Sequence, residues 1–99
     1  MPRIRRPLKV TRVVMTCFAA PFQLEGITDD GRPVYVRARH GELRVSIGPT
    51  GGDIFSAVEG EEVFYKDPCN WEDETYPGLK RLTRGLINWP RRLSRRRMR

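Results

Sequence analysis

The last nine residues of the sequence, RRLSRRRMR, carry the side chains with the clearest chemical use. Six of them are arginines and none is an acid: Arg91, Arg92, Arg95, Arg96, Arg97 and Arg99. Clustered guanidinium groups neutralise phosphates and release counterions, which produces affinity that is independent of base sequence and falls steeply with salt. The run therefore predicts contact with DNA or RNA. Two alternatives are that it is solvated without a role, or that it folds back on the acidic stretch from Glu59 to Glu74.

Charge is divided unevenly along the 99 residues. Residues 1–12 carry five cations, residues 77–99 carry nine, and neither segment contains an acid. All twelve acids lie in residues 13–76, where they outnumber the cations and separate two basic ends. Three N-terminal arginines would supply a second phosphate-binding arm if the termini lie close together: Arg3, Arg5 and Arg6.

A third basic group lies on a predicted β-hairpin. Tyr35, Arg37, Arg39 and Arg44 all fall on the face of the hairpin that points away from the core. A base could stack on the tyrosine of such a face while phosphates contact the arginines. Glutamates are expected beside them, so a solvated face with cross-strand ion pairs is the simpler interpretation.

An acidic segment offers a different kind of partner. Its candidate contact residues are Glu61, Glu62, Trp71, Glu72, Asp73 and Glu74. Carboxylates in such number can hold a divalent cation or carry out acid and base catalysis, but no EF-hand spacing or nucleophile motif accompanies them. An acidic surface that binds a host protein is the alternative to nucleic-acid binding, because the two surfaces recruit opposite partners.

Catalytic and metal-binding motifs are absent from the sequence. His40, the single histidine, precedes a glycine in a predicted turn, where histidine tolerates positive φ. Cys17 and Cys69 form no CxxC pair and, with His40, lack the spacing and the fourth ligand of a zinc site. We therefore expect a protein that is not an enzyme and has no cofactor. Without a signal peptide or a long apolar run, we also expect reduced thiols in the cytoplasm and no membrane partner.

Alternation of apolar and polar residues predicts two adjoining hairpins. A two-residue turn at His40-Gly41 pairs residues 34–39 with residues 42–47 and collects the apolar side chains on one face. A three-residue loop ending at Gly31 pairs Leu24 with Val36, which keeps Glu25 off the core face. Residues 10–19 predict a further strand that is either covered on both faces or paired centrally in the sheet.

The remaining elements are less regular. Residues 54–66 predict two strands around Gly60, with a short helix over residues 54–58 as the alternative. A C-terminal helix begins near Pro77 with Thr75 as its cap, and a stripe of apolar residues predicts that it continues to Pro90. That stripe consists of Leu79, Leu82, Leu86, Trp89 and Leu93.

Together these elements predict a single α+β domain. We expect a twisted antiparallel β-meander of four or five strands with one C-terminal helix packed on a face. The domain spans residues 9–90, between a flexible basic arm at residues 1–8 and an arginine-rich tail at residues 91–99.

Two stretches, FQLEGITDDGRPVYVRARHGELRVSIG and GLKRLTRGLINWP, resemble short uncharacterised proteins of actinobacteria and their phages. The resemblance covers about half of the chain, leaves out the basic tail and transfers no site. It implies a small accessory protein that binds a partner.

The sequence thus favours a non-enzymatic binding protein that contacts nucleic acid through its arginine-rich arms. The alternative is a phage-type accessory protein that binds or inhibits a host protein through its acidic loop or its exposed sheet.

Overall fold

The computed structural model describes residues 6–17 and 22–95 of the chain. Within them six strands form one sheet: β1 Leu8–Cys17, β2 Phe22–Thr28, β3 Pro33–Arg39, β4 Glu42–Ile47, β5 Glu61–Lys66 and β6 Ile87–Asn88. The strand order is β5-β4-β3-β2-β1-β6, with β6 parallel to β1 and every other pair antiparallel. Two short helices complete the fold: α1 Ile54–Val58 and α2 Tyr76–Leu82.

The central hairpins have the registers that alternation predicts. In the β3–β4 hairpin Val36 lies opposite Val45, and both are fully buried. The turn places His40 at φ 55° and Gly41 at φ 80°, so the histidine does occupy a left-handed turn position. Both hairpin predictions are confirmed, because each places its apolar side chains on a single face of the sheet.

The structure also has the three-residue loop that the sequence predicts between β2 and β3. Leu24 lies opposite Val36, and Gly31 has φ 82°, the left-handed conformation that a three-residue hairpin requires. The hydroxyl of Thr28 accepts a hydrogen bond from the amide of Arg32 at 2.9 Å, which closes the loop.

The core lies on one face of the sheet and is covered by α2. Leu79 of α2 is fully buried, and Tyr76 is 8% exposed and donates its hydroxyl hydrogen to the carbonyl of Pro90. Burial raises the pKa of Tyr76 to about 12. The strand residues of the core are Val10, Val13, Phe22, Leu24, Val34, Val36, Ala38, Leu43, Val45, Ile47 and Ile87.

The sheet also curls, so that its two ends approach each other. A cavity of about 350 Å³ lies between them. Leu8 and Ile87 line it from the β1–β6 end, while Ile47 and Val63 line it from the β4–β5 end. The curl is a consequence of strand twist accumulated across the sheet.

Residues 54–58 form helix α1, which is the alternative to a strand that the sequence left open. Asp53 caps the helix, since its carboxylate accepts a hydrogen bond from the amide of Ser56 at 3.1 Å. The buried hydroxyl of Ser46 donates to the carbonyl of Ala57 at 2.6 Å, which ties α1 to the face of the sheet opposite the core. Capping and this tertiary contact outweigh the strand propensity of a short apolar segment.

The C-terminal helix is shorter than the apolar stripe predicts. Thr75 caps it as expected, by accepting a hydrogen bond from the amide of Gly78 at 3.0 Å, but α2 ends at Leu82. The following turn places Gly85 at φ 86°, and the chain continues into β6. Of the stripe, only Leu79 and Leu82 lie in α2. The other three members lie outside both α2 and β6: Leu86, Trp89 and Leu93. The expected arrangement of four or five strands with a terminal helix is therefore wrong in detail. The broader assignment to the α+β class holds.

The packing predicts a large difference between two identical substitutions. Leu24→Ala removes a fully buried side chain of a central strand and should lower the free energy of unfolding by about 2–5 kcal/mol. Leu86→Ala removes a side chain that is 53% exposed and should change it by less than about 0.5 kcal/mol. Urea denaturation followed by circular dichroism measures both values. Similar losses in the two variants would contradict this assignment of the core.

Candidate nucleic-acid interface

The C-terminal segment runs alongside β1. Lys9 is the Cα partner of Asn88 in the parallel β1–β6 pair, and further along the amide of Ser94 donates to the carbonyl of Val13 at 2.7 Å. Leu93 packs against the core between these two contacts. Residues 87–94 therefore follow β1, and the predicted domain boundary at residue 90 falls inside a segment that is attached to the sheet.

This arrangement collects cations from both ends of the chain along one edge of the sheet. Arg12 precedes Val13 and Arg95 follows Ser94, so each is adjacent to a member of the hydrogen-bonded pair. Neither residues 6–17 nor residues 87–95 contain an acid. We call this edge the basic edge, and its exposed cations are Lys9, Arg12, Arg91, Arg92 and Arg95.

The other predicted arm residues fall in two groups. Arg6 is described, precedes β1 and is exposed. The remaining five lie outside the described residues: Arg3, Arg5, Arg96, Arg97 and Arg99.

The predicted hairpin face is a continuous surface across four strands. One cross-strand row contains Gln23, Arg37, Arg44 and Tyr65, each the Cα partner of the next. A neighbouring row contains Glu25, Tyr35, Ser46 and Glu62 in the same order of strands. We call this surface, opposite the core, the outer face.

A groove of about 260 Å³ opens on the outer face. Val58 of α1 lines one part of it, and the other lining residues come from the β3–β4 hairpin. These are Tyr35, Arg37, Arg39, His40, Glu42 and Arg44. The structure brings together the four residues that the sequence predicts on one hairpin face: Tyr35, Arg37, Arg39 and Arg44.

Most polar groups around the groove have partners. Arg44 forms an ion pair with Glu62, with 3.0 Å between Nε and Oε1, and Arg39 Nε donates to His40 Nε2 at 3.1 Å. The hydroxyl of Tyr65 donates to Glu42 at 2.9 Å, and this hydrogen bond raises the pKa of Tyr65 to about 12. The outer face thus contains cross-strand ion pairing, as the simpler interpretation expected, although Glu62 of β5 supplies the acid.

Arg37 differs from these neighbours. Its Nε atom is buried and has no hydrogen-bond partner among the described residues. It also lies directly opposite Arg44, and two like charges in that position repel each other. The arrangement leaves a buried donor without a hydrogen-bond partner among the described residues.

Sequence reasoning missed Val58, Glu62 and Tyr65 as neighbours of this surface. The β4–β5 pair contains a register irregularity between Val45 and Ser46, so alternation alone does not align β5. The capping signal of Asp53 was present in the sequence and could have identified α1 and its position after β4.

The predicted acidic contact residues differ in exposure and in pairing. Asp73 is buried and accepts hydrogen bonds from Lys66 Nζ at 3.0 Å and from the amide of Asn70 at 3.2 Å. Glu62 is paired with Arg44, while Trp71 is 78% exposed on the loop. Of the other three, Glu61 is exposed on β5, Glu72 is exposed on the loop and Glu74 is half-buried there.

Metal-ligating groups are scattered. Among the described residues, no three or more histidine, cysteine, aspartate or glutamate side chains are grouped to hold a metal ion. Cys69 donates its thiol to the carbonyl of Lys66 at 3.6 Å, and burial raises the pKa of this thiol.

Comparisons with known proteins add no assignment. No family model matches the chain, and no similar curated protein or solved structure was found. In the described part of the chain, no helix has the length and apolar character needed to cross a membrane.

The Lys66–Asp73 pair predicts a pH dependence of stability. The hydrogen bond from Lys66, aided by the amide of Asn70, lowers the pKa of Asp73 from its usual 3.8, and Asp73 raises the pKa of Lys66 above 10.5. The carboxylate's contribution is present above pH 3.8 and is lost as the pH falls through the lower folded pKa. The lysine's contribution is complete below pH 10.5 and is lost as the pH rises through the raised value.

We therefore expect Asp73→Asn to lower stability at neutral pH and to weaken the loss of stability in acid. Urea denaturation over a series of pH values measures both effects. Glu72→Gln, at an exposed neighbouring position, is the matched control. If both variants change the acid profile equally, the loop does not depend on the buried carboxylate.

Proposed function

We propose that the protein binds nucleic acid without catalysing a reaction and that the basic edge supplies the phosphate contacts. The observation that supports this most strongly is the attachment of residues 87–94 along β1. It holds arginines from the C-terminal segment beside cations of β1 on an edge to which neither segment contributes an acid.

The dimensions of the basic edge suit a polyanion. Residues 8–14 of an extended strand span roughly 20 Å at about 3.3 Å per residue. Duplex DNA presents about one charge per 1.7 Å of its axis, so roughly a dozen phosphates lie within that length. Contacts between such an edge and the phosphates position the protein without reading the bases.

Arginine is also the appropriate cation for this role. Its planar guanidinium forms paired hydrogen bonds with phosphate oxygens and remains charged at any physiological pH. Arg91, Arg92 and Arg95 are exposed, and the backbone between them is tied to the sheet through Leu93 and Ser94. Attachment of this backbone reduces the ordering cost that a free tail pays on binding.

A second candidate function is contact with a protein partner through the acidic loop. Trp71 supports it, since this large aromatic side chain is 78% exposed and has an exposed acid, Glu72, beside it. Exposed tryptophans often supply much of the affinity of a protein interface. A phage-type accessory protein that inhibits a host enzyme would use such a surface.

Point substitutions test the first proposal better than truncation, because loss of the tail would also remove the core contact of Leu93. Arg91→Gln/Arg92→Gln should weaken binding to a mixed-sequence duplex. It should also make the slope of log K against log salt shallower by about 2. Fluorescence anisotropy across a salt series measures both quantities.

The matched control is Arg81→Gln/Arg84→Gln, which removes the same charge from exposed positions on and after α2. This variant should change the slope much less. If the wild-type chain binds no duplex at low salt, or if both double variants behave alike, the basic edge is not a nucleic-acid interface. Capture of a protein partner that depends on Trp71 would then favour the second function.

A further inference from the structure

We propose that the groove on the outer face binds one nucleotide unit of a single strand, with its phosphate at Arg37 and its base against Tyr35. The inference rests on the proposed function and deepens it, since it names the form of nucleic acid and a second contact surface. A free nucleotide presents the same chemistry, and the experiment below separates the two sources.

The unsatisfied donor of Arg37 is the first argument. Its Nε is buried in the structure without a hydrogen-bond partner among the described residues, although burying an unpaired polar atom is unfavourable. Rotation of the Arg37 side chain toward a phosphate in the groove would give this hydrogen an acceptor, and a guanidinium can offer a second parallel donor to the same phosphate. Binding of the anion would also reduce the repulsion between Arg37 and the facing Arg44.

Charge within the groove provides the second argument. Its lining contains three arginines and one acid, Glu42, whose carboxylate already accepts the hydroxyl hydrogen of Tyr65. Glu62 offsets Arg44 through the 3.0 Å ion pair, and the Nε of Arg39 is occupied by His40. Among the groove arginines, Arg37 is therefore the one whose Nε has no partner among the described residues.

The shape of the groove favours a single nucleotide over a duplex. Tyr35 is half-buried in the cross-strand row next to that of Arg37, and Val58 of α1 lines the groove beside the hairpin residues. Helix α1, which carries Val58, is held against the sheet because Ser46 and Ala57 are almost fully buried and share a 2.6 Å hydrogen bond. A volume of about 260 Å³ suits a small ligand. Bases paired within a duplex do not expose their faces, whereas a single strand can stack them on aromatic side chains.

The test compares a short labelled oligothymidylate with a duplex of equal length, using the full chain and fluorescence anisotropy. Arg37→Gln and Tyr35→Leu should each weaken single-strand binding about tenfold and change duplex binding by less than about threefold. The matched control is Arg84→Gln, which removes one charge outside the groove and should affect both ligands only slightly. Amide NMR spectra of each variant establish that the fold is retained.

Nucleotide binding is measured separately by titrating thymidine monophosphate into the wild-type chain and following amide shifts. Saturable shifts around residues 35–44, lost in Arg37→Gln, support the groove site. If the wild-type chain binds neither the single strand nor the duplex, the proposed function fails. The thymidine monophosphate titration then tests the groove site independently.

Three results would overturn the inference. One is equal weakening by Arg37→Gln and Arg84→Gln, which would indicate general electrostatic attraction. Another is equal loss of single-strand and duplex binding in Arg37→Gln. The third is a thymidine monophosphate titration that produces no localised amide shifts. Shifts that an acidic peptide reproduces at the same concentration would count equally against the inference, because the groove would then bind carboxylates as well as phosphates.

Discussion

The structure depends on the strict separation of two faces in the strands β2, β3 and β4. Because side chains alternate along each strand, a register that buries Leu24, Val36 and Val45 also places every intervening polar residue on the outer face. A shift by one residue would expose the core and bury arginines. The same constraint that builds the hydrophobic core therefore places the arginines on the outer face. The strand register thus positions the residues of β3 and β4 that line the groove.

Residues 87–94 depend on that sheet in a different way. Strand β1 offers an open edge, and the parallel pair with β6 together with the Ser94 hydrogen bond covers much of it. The segment that covers this edge is the one that carries Arg91 and Arg92. Coverage of the edge and display of cations are therefore two results of one backbone arrangement, which links the stability of the fold to the proposed contact with phosphates.

Alternation and turn chemistry were sufficient to predict the two central hairpins, down to the individual pairs and the positive φ of His40 and Gly31. They were insufficient for α1, because a five-residue apolar segment fits a strand or a helix and its capping residue decides between them. They also failed after Leu82. Apolar residues at helical spacing predicted a continuous helix there, yet Gly85 adopts a left-handed conformation and the chain continues into β6.

The sequence by itself determined the face on which each residue of β2, β3 and β4 lies and the concentration of arginine at both ends. Each of these is local, since it follows from a period of two or from composition. Only the tertiary structure decided that residues 87–94 follow β1, that Glu62 pairs with Arg44, and that the buried Nε of Arg37 has no partner among the described residues. Such contacts join residues far apart in the chain, and they form only where backbone pairing and burial bring those residues together.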